Sequence, residues 1–90
     1  FPYGEQLNPI KIEIIATGEN LLHLAGFADC RIRQHGKLAR IEVPIEQMPQ
    51  LLAQREYIVS RLLKLGFQHI CLDLAGRVSG SMDYEIKNKE

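Results

Sequence analysis

Eleven Lys and Arg against eleven Asp and Glu leave this 90-residue chain with no net charge, and hydrophobic and charged residues make up 46% and 24% of it. That composition is ordinary for a globular chain and indicates neither disorder nor a fibrous repeat. It also lacks the broad positive field of a phosphate-tracking nucleic-acid binder, so any anion site has to be local.

At this length one small core is the limit, and the reading is a single domain over 1–90. The chain opens on Phe1 rather than a methionine, so residues 1–7 are expected to be a linker from a missing amino-terminal domain and 83–90 a polar tail, as in an excised carboxy-terminal domain. No apolar run reaches the roughly 18 residues of a membrane span, and no signal peptide is visible. Cys30 and Cys71 lie far apart inside apolar stretches, which suits buried thiols in a reducing cytosol. The expectation is a soluble, cytoplasmic domain without membrane or nucleic-acid partners.

Asn8 as cap and Pro9 as first residue open a helix reaching to Gly26, with Ile10, Ile14, Leu21 and Ala25 on its inner stripe. Ile10, Ile12 and Ile14 also alternate as a strand would, and Gly18 costs a helix about 1 kcal/mol relative to Ala. On the helical wheel Ile12, Ile15 and Glu19 point away from the core, leaving apolar surface for a further domain or a second subunit. Residues 28–34 and 37–43 read as two strands joined at His35 and Gly36, pairing Arg33 with Leu38, Ile32 with Ala39 and Arg31 with Arg40. Side-chain alternation then gathers Cys30, Ile32, Ala39, Ile41 and Val43 on one face and Arg31, Arg33, Arg40 and Glu42 on the other.

A second helical pattern follows Pro44, with Met48, Leu51, Leu52, Ile58, Val59, Leu62 and Leu63 at three- and four-residue spacing, the helix proper beginning near Pro49 and stopping at Gly66. Residues 68–74 form a third strand, with Ile70, Leu72 and Leu74 toward the helices and His69, Cys71 and Asp73 behind; 75–81 is a loop. The predicted fold is an α+β domain of order αββαβ, a three-stranded mixed sheet with two helices packed on one face.

No Walker loop, paired metal-spaced cysteines or serine nucleophile elbow is present, so no catalytic or metal-ligating residue is assigned. His23, His35 and His69 are scattered over helix, turn and strand. Arg31 and Arg33, at i and i+2 on one strand, can form a multi-donor clamp for phosphate or carboxylate, which Arg40 would widen. The competing reading is a solvated sheet face on which Glu42 and Asp73 neutralise the arginines, pairs that contribute only about 0 to 1 kcal/mol each. Glu19 reads as an exposed helix carboxylate, and the amides and hydroxyls of 76–81 either end the sheet or hold an anion.

Phe1-Pro2-Tyr3-Gly4, Arg31-Ile32-Arg33-Gln34-His35-Gly36, Leu38-Ala39-Arg40-Ile41-Glu42-Val43 and Leu72-Asp73-Leu74-Ala75-Gly76 through Ser79-Gly80-Ser81-Met82 together resemble the LarE family. Those proteins are PP-loop ATP pyrophosphatases of nickel-pincer cofactor synthesis, which adenylate a carboxylate of a pyridinium dicarboxylate mononucleotide and transfer sulfur onto it. The sulfur comes from a sacrificed cysteine in many members and from an iron-sulfur cluster in others. The resemblance implies that ATP and Mg are bound by the missing domain, with no cofactor in this one, and that this domain holds the anionic mononucleotide and builds a homo-oligomer. Arg31 and Arg33 match the family's substrate-phosphate arginines, and Glu19 an acidic residue near the same site. Gln34 departs from the pattern, standing where a histidine is common. The implied enzyme is an ATP-dependent sulfur transferase whose isolated domain is inactive. The alternatives are a non-catalytic association module, or the RNA-binding domain of a PP-loop transfer-RNA thiolase, against which the neutral charge and the lack of aromatics among the arginines argue.

Overall fold

The structure, a computed structural model, describes residues 9–77. The Asn8 cap, the 1–7 linker, the 83–90 tail and the loop beyond Arg77 lie outside the described residues.

Helix α1 spans Pro9–Leu24. Its buried line runs through Gly18 and Leu22, with Ile14, Ile15, Leu21 and Ala25 packed beside it. This turns the expected stripe: Ile10, read as core, is 66% exposed, while Ile15, read as outward, packs against the core. Ile12 is exposed as expected. Gly18 is the cause, because a Cβ there would lie 2.8 Å from Ile32 Cδ1 and 3.2 Å from Leu62 Cδ2. The helix seats its backbone on the core at the one residue without a side chain, and that contact sets its rotation.

α1 ends in a Schellman motif: Phe27 N–H donates to Leu22 O at 2.9 Å and Gly26 N–H to His23 O at 3.1 Å, with Gly26 at φ 111°. The motif folds Phe27 back into the core, where it is fully buried.

Strands β1 (Arg31–His35) and β2 (Leu38–Glu42) pair antiparallel, with His35 opposite Leu38, Arg33 opposite Arg40, Ile32 opposite Ile41 and Arg31 opposite Glu42. The turn residues are therefore Gly36 and Lys37, not His35 and Gly36. Gly36 at φ 61° supplies the positive φ that this turn needs at its first central position, which His35 would adopt only with strain. The pairing is displaced by two residues from that expected, an even shift that leaves the face assignments intact.

A 3-10 turn (Ile45–Gln47) leads into α2 (Met48–Ala53), and α3 (Arg55–Lys64) follows after a break at Gln54. One helix was expected here. Gln54 leaves helical geometry at φ −106°, ψ 19°, and its side chain donates to Ala25 O at 3.4 Å, tying the break to the end of α1. β3 (His69–Leu72) pairs parallel with β2, giving the sheet order β1-β2-β3. Ile70 and Leu72 pack against the core, but Leu74, expected beside them, is 79% exposed because the strand has already ended. Cys71 is also exposed, contrary to the buried thiol expected, since it alternates onto the outer face of the sheet.

The result is an α+β domain: among the described residues, three α-helices and a three-stranded mixed sheet, with Ile32, Ala39, Ile41 and Val43 joined in one core to Leu22, Leu51, Ile58 and Leu62 of the helices. Arg31, Arg33, Arg40 and Glu42 occupy the opposite face.

Gly18→Val should lower stability by about 1 to 3 kcal/mol, because the added carbons enter space already filled by Ile32 and Leu62. Urea unfolding followed by circular dichroism measures this, and an unchanged midpoint would contradict the close seating of α1.

Candidate functional site

Ile32 is 3% exposed, so its neighbours Arg31 and Arg33 leave the opposite side of β1 with their heads in solvent. Glu19 reaches this strand from α1. Its Oε2 accepts the Ile32 N–H at 2.9 Å and lies 3.4 Å from Arg31 Nε. β1 is an edge strand, so Glu19 occupies a donor that would otherwise be open to water or to another chain. The sequence reads Glu19 as an exposed helix carboxylate, but its side chain is only 22% exposed because it spans to β1, which nothing in the sequence signals.

Arg33 Nε donates to Glu42 Oε1 at 3.3 Å. Arg40 Nη1 donates to Glu42 Oε2 at 3.0 Å and to Asp73 Oδ2 at 2.7 Å, while Arg40 Nε donates to His35 Nε2 at 3.3 Å. Arg31 and Arg33 thus each meet one carboxylate at Nε, whereas Arg40 commits two nitrogens to three acceptors. Arg77, which sequence reasoning did not single out, belongs to the same group. Its Nε donates to Asp29 Oδ1 at 2.7 Å, its Nη1 lies 3.9 Å from Glu42 Oε1, and its backbone N–H donates to Val43 O at 2.9 Å. No spacing announces this pairing, since it depends on two loops meeting at one end of the sheet.

The structure therefore brings together Glu19, Arg31, Arg33 and Arg40 along one hairpin, and it also supplies the carboxylates of the solvated-face reading. Asp73 is held below the usual carboxylate range by the Ala75 N–H and by Arg40, so it remains anionic against the guanidinium. Gly76 packs tightly, with Ile45 Cγ1 only 2.6 Å from where its Cβ would stand, which fits the loop's role as the end of the sheet. Among the described residues no three His, Cys, Asp or Glu side chains cluster as metal ligands, and no helix is long and apolar enough to cross a membrane.

The two thiols differ. Burial, with Glu19 and Asp29 nearby, pushes the Cys30 thiol from 9.0 up to about 11, and its Sγ lies 3.8 Å from Glu19 O. Because this folded-state value is raised, the stability it contributes is complete below pH 9 and is lost as pH climbs toward 11.

No protein-family model matches the chain. It is 36% identical over 83 residues to the pyridinium-3,5-bisthiocarboxylic acid mononucleotide synthase, LarE, of Lactiplantibacillus plantarum, covering 92% of this chain and 30% of that protein. It is 34% identical over 85 residues to an uncharacterised protein of Synechocystis, covering 92% of this chain and 32% of that one. The chain spans about a third of the length of these curated relatives. The similarity runs along nearly the whole of this small α+β domain and is consistent with a carboxy-terminal LarE domain.

At about pH 8 a chromogenic thiol reagent should modify Cys71 promptly and Cys30 only after denaturation, because the thiolate is the reactive species and Cys30 is both buried and protonated. Counting reactive thiols before and after adding denaturant checks this, and two prompt thiols in the native chain would contradict it.

Proposed function

We propose that this chain is the substrate-binding and oligomerisation domain of an ATP-dependent sulfur transferase that makes a pyridinium-3,5-bisthiocarboxylic acid mononucleotide, the product in the name of its Lactiplantibacillus relative. The observation that carries the reading is the unequal engagement of the arginines. Arg31 and Arg33 are oriented through Nε by Glu19 and Glu42, which leaves their terminal nitrogens for the phosphate of an anionic mononucleotide. Arg40, held by Glu42, Asp73 and His35, supports the hairpin more than it serves a ligand.

In this division of labour ATP and Mg bind in the part of the protein that the longer relatives carry beyond this domain. A substrate carboxylate oxygen attacks the α-phosphate of ATP, pyrophosphate leaves, and the acyl adenylate then accepts sulfur as AMP departs. This domain's share is to fix the substrate's phosphate, so that the carboxylate meets the nucleotide in a productive geometry. The exposed side chains of Ile10 and Ile12 on α1 suit a covering domain or subunit.

In the full-length protein, Arg31→Ala or Arg33→Ala should weaken binding of a pyridinium carboxylate mononucleotide by about ten- to a hundredfold, the worth of one charge-assisted contact. Lysine should restore only part, since it keeps the charge and loses the fork. Calorimetric titration with thermal melts alongside is the measurement; unchanged affinity in both folded variants would return the arginines to a solvated face. The 90-residue chain alone should not hydrolyse ATP, and turnover by the pure chain would break the assignment of nucleotide binding elsewhere.

A further inference from the structure

We infer that Glu42 is a positioning residue for anion binding on this face, holding Arg33 in its receptive orientation rather than merely neutralising it. The inference rests on the anion-binding reading of Arg31 and Arg33.

Arg33 and Arg40 are direct cross-strand partners, and like charges placed opposite one another in a hairpin repel. Left to themselves the two guanidinium groups would splay apart. Glu42 divides its carboxylate between them, Oε1 to Arg33 Nε at 3.3 Å and Oε2 to Arg40 Nη1 at 3.0 Å, and Oε1 also faces Arg77 Nη1 at 3.9 Å. Its side chain is only 14% exposed, the least of any acid paired on this face, so the carboxylate is fixed and shielded while Arg33, at 41%, reaches solvent. Asp73 by contrast is paired with Arg40, its Oδ2 accepting from Nη1 at 2.7 Å.

Charge alone and geometry alone predict opposite signs. If Glu42 simply cancels positive charge, removing its charge raises the local potential and an anion binds more tightly. If Glu42 holds Arg33, removing the charge frees a long side chain that must be ordered again on binding, and the anion binds more weakly. Glu42→Gln keeps the shape and one acceptor oxygen but turns an amide donor toward a guanidinium, so one of the two arginines loses its hold.

The test is titration of inorganic phosphate into the full-length protein carrying wild type, Glu42→Gln or Asp73→Asn, with thermal melts in parallel. Glu42→Gln should weaken phosphate binding by about two- to tenfold, the cost of one mobile side chain, while Asp73→Asn leaves it unchanged or tighter. Equal or tighter binding by Glu42→Gln, or equal weakening by both variants, would overturn the inference. Failure of the underlying anion-binding reading has a different signature, equal phosphate affinity in wild type and Arg33→Ala, and it would overturn the inference as well. Should Glu42→Gln not fold, the Arg33 side-chain signals in the wild-type protein decide. On adding phosphate the terminal Nη signals should shift while Nε–H stays bound to Glu42, and release of Nε–H from Glu42 would overturn the proposal.

Discussion

Two adjacent residues of α1 grip one residue of β1, and the rest of the domain is arranged around that grip. Gly18 brings the helix backbone against the Ile32 side chain, and Glu19 takes the Ile32 N–H. One contact is apolar and the other polar, so the strand is fixed both in distance from the helix and in position along it. Ile32 lies between Arg31 and Arg33. Whatever holds Ile32 therefore sets where both guanidinium groups leave the sheet, and the core and the outer face are coupled through a single backbone residue.

The zero net charge of the chain acquires a local meaning on that face. Glu19, Asp29, Glu42 and Asp73 each stand within ion-pair distance of Arg31, Arg77, Arg33 or Arg40. An arginine cluster without such acids would repel itself and spread; interleaved acids allow several guanidinium groups to share one small sheet. On Arg31 and Arg33 the carboxylates stand at Nε, and the heads of both side chains still reach solvent. Neutrality overall and an anion site locally are thus compatible.

Much of this was legible in the sequence because period two is robust. The hairpin register differs by two residues from the one its turn signal suggests, and an even shift keeps Ile32, Ala39 and Ile41 on one face and Arg31, Arg33, Arg40 and Glu42 on the other. The helix faces were less secure. Gly18 reads as a cost to a helix when only propensity is considered, whereas in the fold it is the point of closest packing, and the true stripe turns toward it. Both long helices end in the same pattern, Leu22-His23-Leu24-Ala25-Gly26-Phe27 and Leu62-Leu63-Lys64-Leu65-Gly66-Phe67. A helix-stopping glycine followed by a large apolar residue marks a chain reversal into the core, and Phe27 and Phe67 are both buried. The break at Gln54 and the Arg77 pairing had no comparable signal. Each depends on distant segments meeting, Gln54 with Ala25 and Arg77 with Asp29, and local pattern carries no information about such encounters.

The carboxylate on Ile32 N–H also makes the sheet directional as a template. A strand arriving beside β1 would need that amide for its ladder, and could take it only by expelling Glu19, which would strip Arg31 of its partner at the same time. Lengthening the sheet at the hairpin rim and keeping Arg31 in order are therefore mutually exclusive states of one side chain.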